Sequence, residues 1–153
     1  SNMKIVVQKV KKAVLYSNGE KYSEIGNGML VLLGVSVDDK IQNAKKIADK
    51  ILKLRIFDDE NGIMNKSIIE TNGEILSVSQ FTLFASTKKG NRPSYIRAAK
   101  GDFSEPMYHT FCSTLSEKIK KEVKKGIFGA DMKIHLINDG PVTIIIDSKN
   151  KEY

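Results

Sequence analysis

Seven consecutive residues, Met29 to Val35 (MLVLLGV), carry no polar side chain. A run of strand length with nothing to present to water must be covered on both faces, which makes it a central strand rather than an edge. The residues that follow supply one cover. Ile41, Ala44, Ile47, Ala48, Ile51 and Leu54 recur at helical spacing through Lys40 to Arg55, behind an Asp38-Asp39 pair suited to cap a helix. A second cover comes later. Phe103, Met107, Phe111, Leu115, Ile119 and Val123 step by four, and Ser104-Glu105-Pro106 offers a cap followed by a first-turn proline.

Around this central run the chain is rich in strand signals. Lys4 to Val10, Ala13 to Tyr16 and Glu20 to Ile25 read as strands, with Asn18-Gly19 as a hairpin turn. Glu74 to Leu83 (EILSVSQFTL) is a further strand-like segment, and shorter candidates lie near Lys125–Phe128, Met132–Ile137 and Val142–Asp147. The last two flank Asn138-Asp139-Gly140-Pro141, which reads as a turn, although a hairpin has no need of its proline. The hairpin signals predict antiparallel pairing. The expected fold is α+β: one domain, an antiparallel barrel-like β-sheet with two main helices packed on it. A chain of 153 residues suits one domain. Ser1-Asn2 reads as a cloning scar before Met3, residues 3–148 as the domain, and residues 149–153 as a C-terminal tail.

Charge and nucleophiles narrow the chemistry. The net charge of +7 permits a polyanionic partner. The basic residues concentrate in Lys88 to Lys100 (KKGNRPSYIRAAK), where Lys88, Lys89, Arg92, Arg97 and Lys100 occur without an acid. This segment is either a solvated loop or an arm that grips phosphates. Tyr95 within it could stack on a base. No apolar run approaches the ~18–20 residues of a membrane span. One cysteine cannot form an internal disulfide, which fits a reducing compartment. Cys112 falls on the apolar side of the second helix, His109 on its polar side, and His135 in a strand with no acid or nucleophile near it in sequence. Two His and one Cys so placed give no metal-ligand spacing, and no phosphate-binding or nucleophile-elbow motif is present. What remains is SVSQFTLF, Ser77 to Phe84. It is either a half-exposed strand or a set of hydroxyl, amide and backbone N–H groups that could position a substrate and an oxyanion. Alternation would place Gln80 and Thr82 on one face and Ser79 and Phe81 on the other.

These residues, with Gln8-Lys9-Val10, Leu54-Arg55-Ile56-Phe57, Gly62 with Met64-Asn65, Lys89-Gly90-Asn91-Arg92-Pro93-Ser94, Phe128-Gly129-Ala130-Asp131-Met132 and Asn138-Asp139-Gly140-Pro141-Val142-Thr143, resemble the D-aminoacyl-tRNA deacylases of bacterial and eukaryotic type. The likeness runs in order from Met3 to Ser148. It implies a cytoplasmic homodimer that hydrolyses the ester of D-aminoacyl-tRNA, and of mischarged glycyl-tRNA, without metal or cofactor. It implies that Ser79, Gln80, Phe81 and Thr82 form the pocket wall, with the Phe81 N–H at the oxyanion and the tRNA 2′-hydroxyl assisting the water. It implies that Gly140 and Pro141, joined by a cis bond and inserted from the partner subunit, reject L substrates, and that Lys9, Met132 and Asn138 support the pocket. Lys88, Lys89, Arg92 and Arg97 would contact the tRNA. Lys9 departs from the family's usual Arg, replacing a two-pronged donor with a point charge. A non-catalytic RNA-binding module and a hydrolase of another small ester are the competing expectations.

Overall fold

The structure, a computed structural model, describes residues 3–150; Ser1, Asn2 and the tail residues 151–153 lie outside the described residues. In chain order the elements are β1 (Lys4–Ser17), β2 (Glu20–Ile25), β3 (Gly28–Gly34), α1 (Ile41–Lys53), β4 (Phe57–Asp58), β5 (Met64–Lys66), β6 (Glu74–Ser79), a 3-10 turn (Phe81–Phe84), α2 (Gly101–Ile119), β7 (Lys124–Lys125) and β8 (Lys133–Asp147). The hairpin at Asn18-Gly19 forms as expected, both residues taking positive φ (53° and 79°).

The main sheet runs β2-β1-β3-β6-β7, with β8 on β1 as well. β1 pairs antiparallel with β2, β3 and β8, but β3–β6 and β6–β7 are parallel. The sheet is therefore mixed, not antiparallel throughout. The physical reason is connectivity. α1 lies between β3 and β6 and α2 between β6 and β7, and a helical crossover returns the chain in the same direction. The two expected strands at 4–10 and 13–16 are one long β1, which has a bulge where it passes along β8. Ser23 Oγ on β2 donates to the Lys125 carbonyl on β7 at 3.0 Å, drawing the sheet's ends toward a barrel.

Both faces of β3 are covered, as its composition requires. Met29, Val31 and Leu33 join Ile5 and Val7 against Ala44, Ile47 and Ile51 of α1 and Phe111 and Leu115 of α2. Leu30 turns the other way, toward Ala13, Leu15, Ile25, Leu76 and Val78 inside the barrel. Each such buried aliphatic side chain contributes roughly 1.5–3 kcal/mol of transfer free energy.

Helix boundaries moved. Asp39 does not cap α1: its Oδ2 accepts the Ser36 N–H at 2.7 Å, and the Lys40 N–H instead donates to Asn43 Oδ1 at 2.7 Å. α2 begins at Gly101, so Pro106 lies inside it rather than in its first turn. Phe103 is exposed and Val123 lies beyond the helix, while Met107, Phe111, Leu115 and Ile119 are buried as expected.

Candidate active site

β6 stops at Ser79. The Gln80 N–H donates to the Leu33 carbonyl at 2.7 Å, and the chain then turns sharply into the 3-10 turn. The expected strand through Leu83 therefore ends four residues early, and the alternation of Gln80 and Thr82 against Ser79 and Phe81 does not apply. Gly34 makes the corner possible. A Cβ there would come within 3.0 Å of the Phe84 ring, 3.1 Å of Leu83 Cβ and 3.2 Å of the Gln80 carbonyl oxygen. Without a side chain at 34, the turn can sit directly on the end of β3.

This corner is one wall of a cavity of about 390 Å³. Ser79, Gln80 and Phe81 face Phe128, Gly129, Ala130, Asp131 and Met132 across it, with Ala99, Gly101 and Ser104 near the start of α2 and Val35, Val78 and Ile134 completing the lining. Thr82 does not line it. Its Oγ1 accepts a hydrogen bond from Gln80 Nε2, so it orients the amide that does. Phe81 is more than half exposed at the mouth, its ring edge-on to Tyr95 at 5.0 Å. The Phe81 N–H is the first of the 3-10 turn, where a helix's own carbonyls cannot yet reach. Behind the wall, Tyr108 Oη donates to the Ser77 carbonyl at 2.6 Å, and its ring packs on Phe128 at 6.2 Å. Burial pushes the Tyr108 phenol well above its ordinary value and raises the Cys112 thiol as well. Both stay protonated, and Cys112 is a buried core residue, as its position in sequence implied. Among the described residues no His, Cys, Asp and Glu side chains gather as a metal set.

The region expected to be a turn near Pro141 is something else. Val10 pairs with Asn138 and Gln8 with Thr143, so both flanks of the segment lie on β1, running in one direction. Residues 139–142 are a loop that leaves β8 and returns to it, opposite the single residue Lys9. Asn138 closes its base: Oδ1 accepts the Val142 N–H at 2.7 Å, and Nδ2 donates to the Val142 carbonyl and Thr143 Oγ1, each at 3.2 Å. The Gly140–Pro141 bond is cis, and Gly140 has φ +142°, a conformation suited to glycine. Lys9 is buried beneath, its Nζ 4.0 Å from Asp139 of the loop and 3.8 Å from Asp58 of β4. Gly140 and Pro141 are exposed and do not line this chain's own cavity, and neither do Lys9 or Asn138.

Lys88, Lys89, Arg92 and Arg97 converge on a separate cavity of about 210 Å³, with Phe84, Ser86, Ser94 and Ile96. Paired backbone bonds between Ser86 and Ser94, at 2.9 and 2.8 Å, pin this loop beside the 3-10 turn. Of the sequence-predicted residues, the structure thus gathers Ser79, Gln80, Phe81 and Met132 in one cavity, the four cations in a second, and Lys9, Asn138, Gly140 and Pro141 at the β8 loop. The residue-by-residue reading missed the small lining residues Ala99 and Gly101. Their signal was there: small side chains at a helix start let a backbone wall approach a cavity.

The model of the family described as D-Tyr-tRNA(Tyr) deacylase matches residues 6–147. A protein of Bacteroides thetaiotaomicron named D-aminoacyl-tRNA deacylase is 57% identical over 150 residues, covering 98% of this chain and 100% of that one. One of the same name from Flavobacterium johnsoniae is 51% identical over the same span. The solved structure of c-Myc DNA Unwinding Element Binding Protein superposes with a TM-score of 0.90 at 42% identity, covering 95% of this chain and 98% of that one. "Structural Analysis of a probable eukaryotic D-amino acid tRNA deacylase" describes a second, with a TM-score of 0.84 at 18% identity over 96% and 100% of the two chains, a likeness of fold. On the family match and these relatives, this chain belongs to the D-Tyr-tRNA(Tyr) deacylase family.

Proposed function

We propose that the cavity between the Ser79-Gln80-Phe81 corner and the Phe128–Met132 wall holds the aminoacyl-adenosine end of a D-aminoacyl-tRNA while its ester is hydrolysed. Family membership makes the chain a D-aminoacyl-tRNA deacylase, a carboxylic-ester hydrolase. The observation that carries the finer reading is the cavity itself. Two chain segments distant in sequence wall one space whose polar side chains are Ser79, Gln80, Ser104 and Asp131, and the only cysteine is buried away from it. Such a wall can position an ester, and the one ionisable side chain in its lining, Asp131, is engaged by Lys133 Nζ at 2.8 Å.

That inventory suits the reaction. An aminoacyl ester is already activated, so holding carbonyl, donor and water in line supplies much of what is needed. Water attacks the ester carbonyl, the tetrahedral oxyanion is met by the Phe81 N–H, and the ribose oxygen leaves with a proton. The ribose 2′-hydroxyl next to the ester is the group placed to orient that water. Ser79, Gln80 and, through Gln80, Thr82 set the geometry. Glycyl-tRNA, lacking a side chain, enters the same space. L substrates need an obstacle rather than a lost contact, because the two enantiomers carry the same groups. The obstacle is the Gly140-Pro141 backbone, which is exposed here and so is available to a partner subunit's cavity in a homodimer. Lys9 and Asn138 hold that loop, and Lys88, Lys89, Arg92 and Arg97 take tRNA phosphates. No cofactor is invoked, and the reaction belongs in the cytoplasm, where tRNA is used.

The basic cavity also favours a second reading, a nucleic-acid-binding module without catalysis. One experiment separates them: incubation with D-Tyr-tRNA and L-Tyr-tRNA. Rapid release of D-tyrosine with little release of L-tyrosine supports the hydrolase. Binding of both without release would replace it with the second reading.

A further inference from the structure

A groove on the far side of the cavity wall is unused by this reaction. It is bounded by Tyr16, Asn18, Gly19, Asp131, Lys133 and His135. We propose that it is a stacking subsite for a nucleobase of the single-stranded tRNA 3′ end, next to the terminal adenosine. This rests on the deacylase reading above and extends it.

The groove is built on a rigid ladder. Tyr16 pairs with Lys133 and Val14 with His135 across β1 and β8. Tyr16 and His135 are therefore diagonal neighbours on one face of that ladder. Their rings meet edge to face, with centroids 5.2 Å apart and planes at 73°. Leu15 and Ile134, between them in sequence, point to the opposite face, and Ile134 lines the main cavity. One pair of strands thus carries the cavity on one face and the aromatic pair on the other. Asp131 borders both spaces. Ser17 Oγ donates to its carbonyl at 3.2 Å, fixing the rim to the β1–β2 hairpin. A chain leaving the cavity over this rim arrives at Tyr16 and His135.

The chemistry selects a base over a phosphate. Lys133 Nζ has Asp131 Oδ2 beside it at 2.8 Å, so the groove's lysine comes with an acid that a phosphate would have to displace. The larger concentration of cations lies instead in the Lys88–Arg97 loop, where Lys88, Lys89, Arg92 and Arg97 line one cavity. What the groove offers is aromatic surface and the Asn18 amide, which can donate and accept. Aromatic stacking tolerates any base, since every base has a π-face.

The test compares two substrates, D-tyrosine esterified to tRNA and D-tyrosine esterified to adenosine alone, on the full chain. Tyr16→Ala combined with His135→Ala is expected to lower kcat/KM on the tRNA substrate about tenfold more than on the adenosine ester, through KM, the size of one lost base stack. Tyr16→Phe, which keeps the ring, is expected to behave as wild type. The adenosine ester also reports whether the variants are folded. An equal change on both substrates, or no change on either, overturns the subsite while leaving the deacylase intact. A wild-type protein that hydrolyses neither ester overturns the deacylase reading, and the subsite with it.

Discussion

Lys9 stands where one residue of β1 faces the four-residue excursion 139–142 of β8. Its ammonium sits between Asp58 and Asp139, at 3.8 and 4.0 Å, and 5.9 Å from the centroid of the Phe57 ring. A guanidinium would bind such partners with a fixed fork, whereas an ammonium holds them by charge alone. Both carboxylates reach solvent, so the pair contributes only about 1 kcal/mol to stability. Its effect belongs to the placement of the loop. Lys9→Met is expected to lower the ratio of D to L turnover about tenfold, a shift of one pair-sized interaction, while the rate on D-aminoacyl-tRNA changes little. Lys9→Arg is expected to preserve the ratio. The measurement is kcat/KM on both enantiomers, and a Lys9→Met protein with unaltered selectivity would remove Lys9 from the discriminating apparatus.

At the level of elements, α2 meets β6 through Tyr108, whose phenol donates to the Ser77 carbonyl two residues before the corner. The folded protein keeps the Tyr108 and Cys112 protons above the ordinary values of 10.0 and 9.0. The unfolded chain releases them near those values. Above about pH 9 the unfolded state therefore binds fewer protons than the folded one, and stability falls as pH rises. Tyr108→Phe with Cys112→Ala is expected to flatten the decline of Tm between about pH 9 and 11; an unchanged slope would assign it to other groups. Elements of this kind were only partly legible in the sequence. Period and composition identified β3, α1 and α2, because burial on both faces or along one stripe leaves a pattern. The end of β6 at Ser79 was not legible, because the apolar alternation continues through Phe81 and Leu83 while Gly34, far away in sequence, permits the turn. Parallel pairing was overlooked although its cause was legible: the two helices read from their periods lie between the strands that pair in parallel. The candidate site residues came from family resemblance, whereas the contact of Thr82 with Gln80 from outside the cavity needed the geometry.

For the molecule as a whole, β8 presents Ile137 and Ile145 to solvent at 56% and 75% exposure on either side of the Gly140-Pro141 loop. An edge so furnished is poorly suited to solitude. The proposed function also needs a second copy, since that loop does not reach its own cavity. A dimer is expected by light scattering, and Ile145→Asp is expected to shift it toward monomer and to erode selectivity. A monomeric Ile145→Asp protein as selective as wild type would exclude action across subunits. The excursion at 139–142 has a wider meaning for how such a protein can change. β8 leaves β1 and rejoins the same partner, with Thr143 to Asp147 still paired to Gln8 through Lys4. The paired flanks therefore hold the barrel on either side of the excursion, with Val142 anchored in the core and Gly140-Pro141 left exposed. On the proposed role of this loop, substrate preference can be rewritten at its exposed positions, Gly140 and Pro141, by natural drift or by laboratory selection, while the architecture that displays them is inherited intact.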